Sequence, residues 1–92
     1  MRKGAVIRHD TIEARVTDDT FSFDSPAVYE VDHPEIARVL SFTHTYTGQA
    51  IAGEVLEATG VIEQHGPERW LIVGTTREAR GESIRSLSLL RQ

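Results

Sequence analysis

The 92-residue chain has no cysteine, a single lysine, three prolines and few aromatic rings. Without thiols it can form no disulfide, no thiolate metal site and no cysteine nucleophile, a usage that suits a reducing compartment. No apolar stretch approaches the roughly 18 residues of a membrane-spanning helix. The opening Met-Arg-Lys-Gly-Ala-Val-Ile-Arg-His returns to charge too soon for a secretory leader. These absences predict a cytoplasmic protein with no membrane partner. His9, His33, His44 and His65 stand singly, with neither His-x-His nor His-x3-His spacing, so no metal site and no cofactor are expected. No serine lies in a Gly-x-Ser-x-Gly turn, and the neighbours His9 and Asp10 face apart on a strand. The expectation is therefore a protein that is not an enzyme. Aromatic residues make up 7%, namely Phe21, Phe23, Tyr29, Phe42, Tyr46 and Trp70. A small domain needs most of its rings for the core, which leaves few for a base-stacking platform.

What is present is an ordinary folded composition, 39% apolar and 26% charged, without repeats. It reads as a single β-rich domain over residues 1–92. A chain of this size buries only about 60–65% of its extended surface, leaving no room for a deep enzyme cleft. Residues 4–9 predict a first strand. Ile12, Ala14 and Val16 alternate with polar neighbours over 11–17, the pattern of a half-buried strand. Asp18-Asp19 supplies turn chemistry before the alternating Phe21 and Phe23, so these two segments are expected to pair as a hairpin. A further strand covers 28–31. Asp32-His33-Pro34-Glu35 carries capping signals and proline in a first turn, and Ile36, Val39 and Leu40 then fall on one helical face, which predicts a short helix. Residues 43–47 favour an extended segment.

Residues 49–59 fit either a helix, through Ile51, Val55 and Ala58, or a strand, through Leu56, Ala58 and Ile62 against Glu57, Thr59 and Glu63. On the preferred strand reading, 50–64 form one long strand bent or bulged at Gly53 and Gly60. His65-Gly66-Pro67-Glu68 predicts a hairpin turn into the apolar run 70–73, a central strand with Trp70 in the core. Thr75 to Glu78 suggests one capped helical turn closed by Gly81, before a last strand near 84–89. The fold class is mainly β: a small curled antiparallel sheet or barrel of five to seven strands with one or two short helices.

Charge is uneven. Residues 69–92 hold five arginines against two glutamates, net +3, which leaves −7 on residues 1–68 and −4 overall. The turn Gly74-Thr75-Thr76-Arg77-Glu78-Ala79-Arg80-Gly81 follows a buried strand. Its backbone amides, the Thr75 and Thr76 hydroxyls and the side chains of Arg77, Arg80 and Arg85 could together cradle phosphate. The plainer reading is that Thr75 caps a connector and that the arginines are solvated and loosely paired with nearby carboxylates.

The segments FDSPAVYEV, VLSFTHTYTGQA, GEVLEATGVIEQ and WLIVGTTREARGESI, in that order over about residues 23–87, resemble the C-terminal β-rich accessory domain of archaeal predicted nucleotidyltransferases. The resemblance implies a compact β-barrel-like packing or binding module beside a catalytic domain. It implies no activity, because the Gly-Ser turn and alternating aspartates of the catalytic signature are absent, and the adjacent Asp18 and Asp19 cannot both face one way from a strand. The function expected is a non-enzymatic module that contacts phosphate of a nucleotide or nucleic acid through the Arg77–Arg85 surface. The alternative is a structural, homo-oligomerising or protein-interaction domain accessory to a separate catalytic subunit.

Overall fold

The structure is a computed structural model that describes residues 5–23, 26–42, 50–74 and 82–87. Six strands follow one another: β1 (Ala5–Asp18), β2 (Ala27–Asp32), β3 (Ile36–Ser41), β4 (Val55–His65), β5 (Glu68–Val73) and β6 (Ser83–Ser86). They form one sheet in the order β1-β2-β3-β5-β4-β6, and an added β1–β4 pairing closes five of them into a ring. The mainly β expectation holds at this level. Among the described residues there is no helix.

Period-two alternation sends one face of every strand into the ring. Ile12, Ala14 and Val16 of β1 meet Ala27, Tyr29 and Val31 of β2, Ile36 and Val39 of β3, Leu56, Ala58 and Ile62 of β4, Leu71 and Val73 of β5 and Ile84 of β6. The interior is thus filled by side chains, and Tyr29, Val39, Leu56, Ala58, Ile62 and Leu71 are wholly buried. β4 is the hub. One edge pairs with β1 along its whole length, while the other is shared, with β6 against Leu56–Thr59 and β5 against Val61–His65. Gly60 stands at the changeover. A Cβ there would strike the backbone carbonyl of Ile72, so the glycine is required by close passage of β5.

Several expectations are corrected. Residues 32–40 are not helical but supply the end of β2 and most of β3, because β3 carries a buried apolar residue on each face: Val39 faces the interior and Leu40 an outer layer. The cap expected of Asp32 is made instead by His33, whose Nδ1 accepts from the amides of Glu35 (3.0 Å) and Ile36 (3.1 Å) and so shapes the β2–β3 turn. The two N-terminal segments are one strand, β1, bulged between Val6 and Arg8. Ala5–Arg15 pairs with β4, and only Arg15–Asp18 pairs with β2. The hairpin with Phe21 and Phe23 does not form. Asp18 Oδ1 accepts from the Thr20 amide and the Asp19 carbonyl from the Ser22 amide, turning the chain; Ser22 is buried and the two rings are exposed.

The sheet is also not wholly antiparallel, since β3 and β5 run parallel, with β4 on the far side of β5. Residues 50–54 are a turn before β4, not its first part: Glu54 N–H donates to the Ile51 carbonyl and Gly53 takes φ 94°. The β4 span itself is extended, as preferred, and Gly60 keeps its register without a bulge. In the β4–β5 hairpin His65 pairs with Glu68 across Gly66-Pro67, with Gly66 at φ 61°. The predicted extended segment 43–47 and the predicted helical turn 75–78 lie outside the described residues.

Where β1–β2 pairing has stopped, side chains continue the closure. Glu35 of the β2–β3 turn accepts from Arg8 Nη1 of β1 (2.8 Å) and from Arg69 Nη1 of β5 (2.6 Å). The two guanidiniums hold its carboxyl down at about 2.

Candidate functional site

The outer wall of β2, β3 and β5 carries the most distinctive surface of the molecule. Register places side chains there in cross-strand rows: Val28, Leu40 and Ile72 in one, Glu30, Arg38 and Trp70 in the next. Leu40 and Ile72 are buried although neither belongs to the interior cluster, so this wall has an apolar layer of its own. The β1–β2 connection adds Phe21, 53% exposed, and Phe23, 77% exposed; Val28 N–H donates to the Phe21 carbonyl at 3.0 Å and holds the connection against β2. Phe21, Pro26, Val28, Leu40 and Trp70, with Glu30 and Arg38, line an open groove of about 290 Å³.

Trp70 is a wall of this groove and not part of the interior, contrary to expectation. Leu71 and Val73 point inward, so the alternation of β5 turns Trp70 out, where it is half-buried. From the β4 side His65 stacks on the indole, centroids 4.0 Å apart and planes within 10°; from the β3 side the Arg38 guanidinium lies 5.5 Å from the ring centroid. The indole N–H donates to Glu68 Oε1 at 2.9 Å. Arg38 is shared between Glu68 (3.3 Å) and Glu30 (3.5 Å). His65 Nε2 is 3.0 Å from Oε1 of Glu63, a buried carboxylate whose Oε2 has no hydrogen-bond partner among the described residues. The groove thus offers apolar walls and a charged rim already paired within itself. Such a surface suits shape and apolar recognition better than proton transfer.

The phosphate candidates are distributed differently. Gly74 follows β5 with φ 82°, and its amide donates to Glu82 Oε1 at 2.8 Å, so an anion at that amide must displace a carboxylate. Arg85, exposed on β6, donates through Nε to Glu57 Oε1 of β4 at 2.9 Å. Thr75, Thr76, Arg77 and Arg80 lie outside the described residues. Among the described residues no three acidic, histidine or cysteine side chains converge as a metal site requires, and no helix is long and apolar enough to cross a membrane.

Sequence reasoning missed the groove. Its signal was present: Phe21 and Phe23 sit in a stretch otherwise of threonine, serine and aspartate, where an interior role leaves them no covered strand to occupy. The alternation of 70–73 also carried it, since Trp70 and Leu71 cannot both face the core.

No family model matches the chain. No solved structure matches it either. Over 82 residues it is 46% identical to Uncharacterized protein MJ1086 of Methanocaldococcus jannaschii, an alignment that takes in 80% of this chain and 24% of that protein. The chain spans about a quarter of the length of the curated relative it matches.

Proposed function

We propose that the chain is a non-enzymatic protein-interaction module, an accessory domain that attaches through the outer wall of β2, β3 and β5. The observation that carries this reading is the groove between Phe21 and Trp70, beside exposed rings, on a barrel whose interior is filled. Exposed aromatic surface rimmed by polar residues marks interaction sites, and tryptophan and arginine are over-represented among the residues that dominate binding energy. The similarity to one quarter of a longer protein supports it, because a domain carried within a larger chain has neighbouring polypeptide to pack against. The test uses the M. jannaschii protein lacking the matched quarter, with this chain supplied separately. Sedimentation is expected to show association that is lost in Phe21→Ala. No association, or association indifferent to Phe21, rejects the reading.

Phosphate binding through Gly74, Thr75, Thr76, Arg77, Arg80 and Arg85 is the second reading, favoured by the arginine-rich segment. It is the weaker on the described geometry, where the Gly74 amide and Arg85 already face carboxylates. It requires nucleotide or oligonucleotide binding at ~50 mM salt that falls steeply as salt rises.

A further inference from the structure

We infer that the groove between Phe21 and Trp70 takes a proline-containing extended segment of a partner protein, flanked by a basic residue; the inference rests on the interaction-module reading above. The fold restricts the mode of recognition. β3 lies between β2 and β5, and β5 between β3 and β4; β2 pairs with β3 along one edge, while its other edge meets β1 over Glu30–Asp32 and gives the Val28 amide to the Phe21 carbonyl. An incoming strand therefore finds little unpaired ladder there, and contact must be made through side chains. The groove is also small: at about 290 Å³ it lies at the lower end of ligand-pocket sizes and admits only a few compact side chains. A polyproline II segment fits both limits. Its backbone stays solvated and needs no ladder, its three residues per turn present compact apolar rings, and it loses little conformational freedom on binding.

The walls suit those rings. Phe21 and Trp70 stand at the sides, with Pro26, Val28 and Leu40 as the remaining apolar lining. Trp70 is braced by His65 and Arg38, so its indole is a preset surface, and an ordered wall lowers the cost of binding. Its N–H is already committed to Glu68. Hydrogen bonds to the segment's carbonyls fall to Arg38, whose Nε and Nη1 face Glu30 and Glu68 while the guanidinium keeps further N–H groups. The rim supplies the charge preference. Two carboxylates, Glu30 and Glu68, surround the one guanidinium of Arg38, leaving a net charge of −1 beside the groove. An arginine or lysine next to the prolines is attracted to that rim, and an acidic residue is repelled.

The experiment is selection of random ten-residue peptides displayed on phage against the 92-residue chain. The selected peptides are then titrated while the fluorescence of Trp70, the only tryptophan, is followed. The expected result is enrichment of closely spaced prolines with arginine or lysine on one side. Binding should be saturable, should weaken about tenfold in Phe21→Ala, and should lose its preference for the basic residue in Glu30→Gln. Phe21 is more than half exposed, so its variant should remain folded, which circular dichroism checks. Enriched peptides without proline, binding indifferent to Phe21, or no enrichment overturns the inference. In any of those cases Phe21-dependent association with the truncated M. jannaschii protein leaves the interaction-module reading standing, and its absence removes both.

Discussion

At Gly60 a side chain is excluded by backbone, not by another side chain. The added Cβ would lie 3.0 Å from the carbonyl carbon of Ile72, closer still to its oxygen, and 3.1 Å from Leu71 Cδ2. Replacing a strand glycine with alanine ordinarily gains about 0.5–1 kcal/mol. Here β5 would have to move, and Gly60→Ala should cost about 1–3 kcal/mol, the range for overpacking a filled core. Urea unfolding measures this directly; a stabilised variant would show that β5 yields freely. The sequence signalled that Gly60 was special, because it interrupts an otherwise regular alternation. It could not say why. A bend and a close crossing demand the same residue, and only the placement of Ile72, 12 positions onward, separates them.

Elements were legible where one face was polar. The half of β1 from Ile12 to Val16 and the stretch of β4 from Leu56 to Glu63 follow a clean period of two, and both are strands. β3 was misread because Leu40 is covered from outside while Val39 is covered from inside, so buried apolar residues fall on both faces of the strand and their spacing imitates a helix. The turn before β3 shows the same confusion at the level of hydrogen bonds, since a cap that opens a helix and a cap that shapes a β-turn satisfy the same free amides. His33 holds two such amides. His33→Ala should destabilise the domain by about 1–2 kcal/mol, and His33→Asn, whose side-chain oxygen can accept in the same place, should recover a large part of the loss. Equal loss in both variants would mean that the imidazole acts by packing. As for the site, the groove was half legible: its rings could be named from the sequence, but not their shared wall, because that depends on the parallel alignment of β3 with β5.

Across the whole molecule, the Glu35 contacts couple closure of the ring to pH. The folded-state value of Glu35 lies at about 2, below its ordinary 4.5, with the hydrogen bonds from Arg8 and then Arg69 as the main causes. A depressed carboxyl contributes stability that is fully present above its unfolded value and is lost as pH falls through the folded value. The contribution should therefore be intact at pH 6 and drain away between about pH 4.5 and pH 2. The urea midpoint of the wild type should fall across that window more steeply than that of Glu35→Gln. Parallel profiles would assign the acid response to other carboxylates, among which Asp10 and Asp18 are also held below the usual range by hydrogen bonds.

The pairing of β1 with β4 also sets an order in time. Thr11 and Thr59 join hydroxyls at 2.8 Å across 48 positions of sequence. A ribosome adding about 5–20 residues per second leaves β1 waiting several seconds for the strand that covers it. During that interval Ile12, Ala14 and Val16 are bare, with only a short stretch of β2 available as an early partner. Arg8, Asp10, Glu13 and Arg15 are spread along the same strand, spacing its apolar residues with charges of both signs. In the finished barrel Glu13 and Arg15 face outward, while Arg8 bonds Asp10 and Glu35; in the nascent chain such interspersed charges are expected to act as gatekeepers, disfavouring pairing of a bare strand with its counterpart on a neighbouring ribosome.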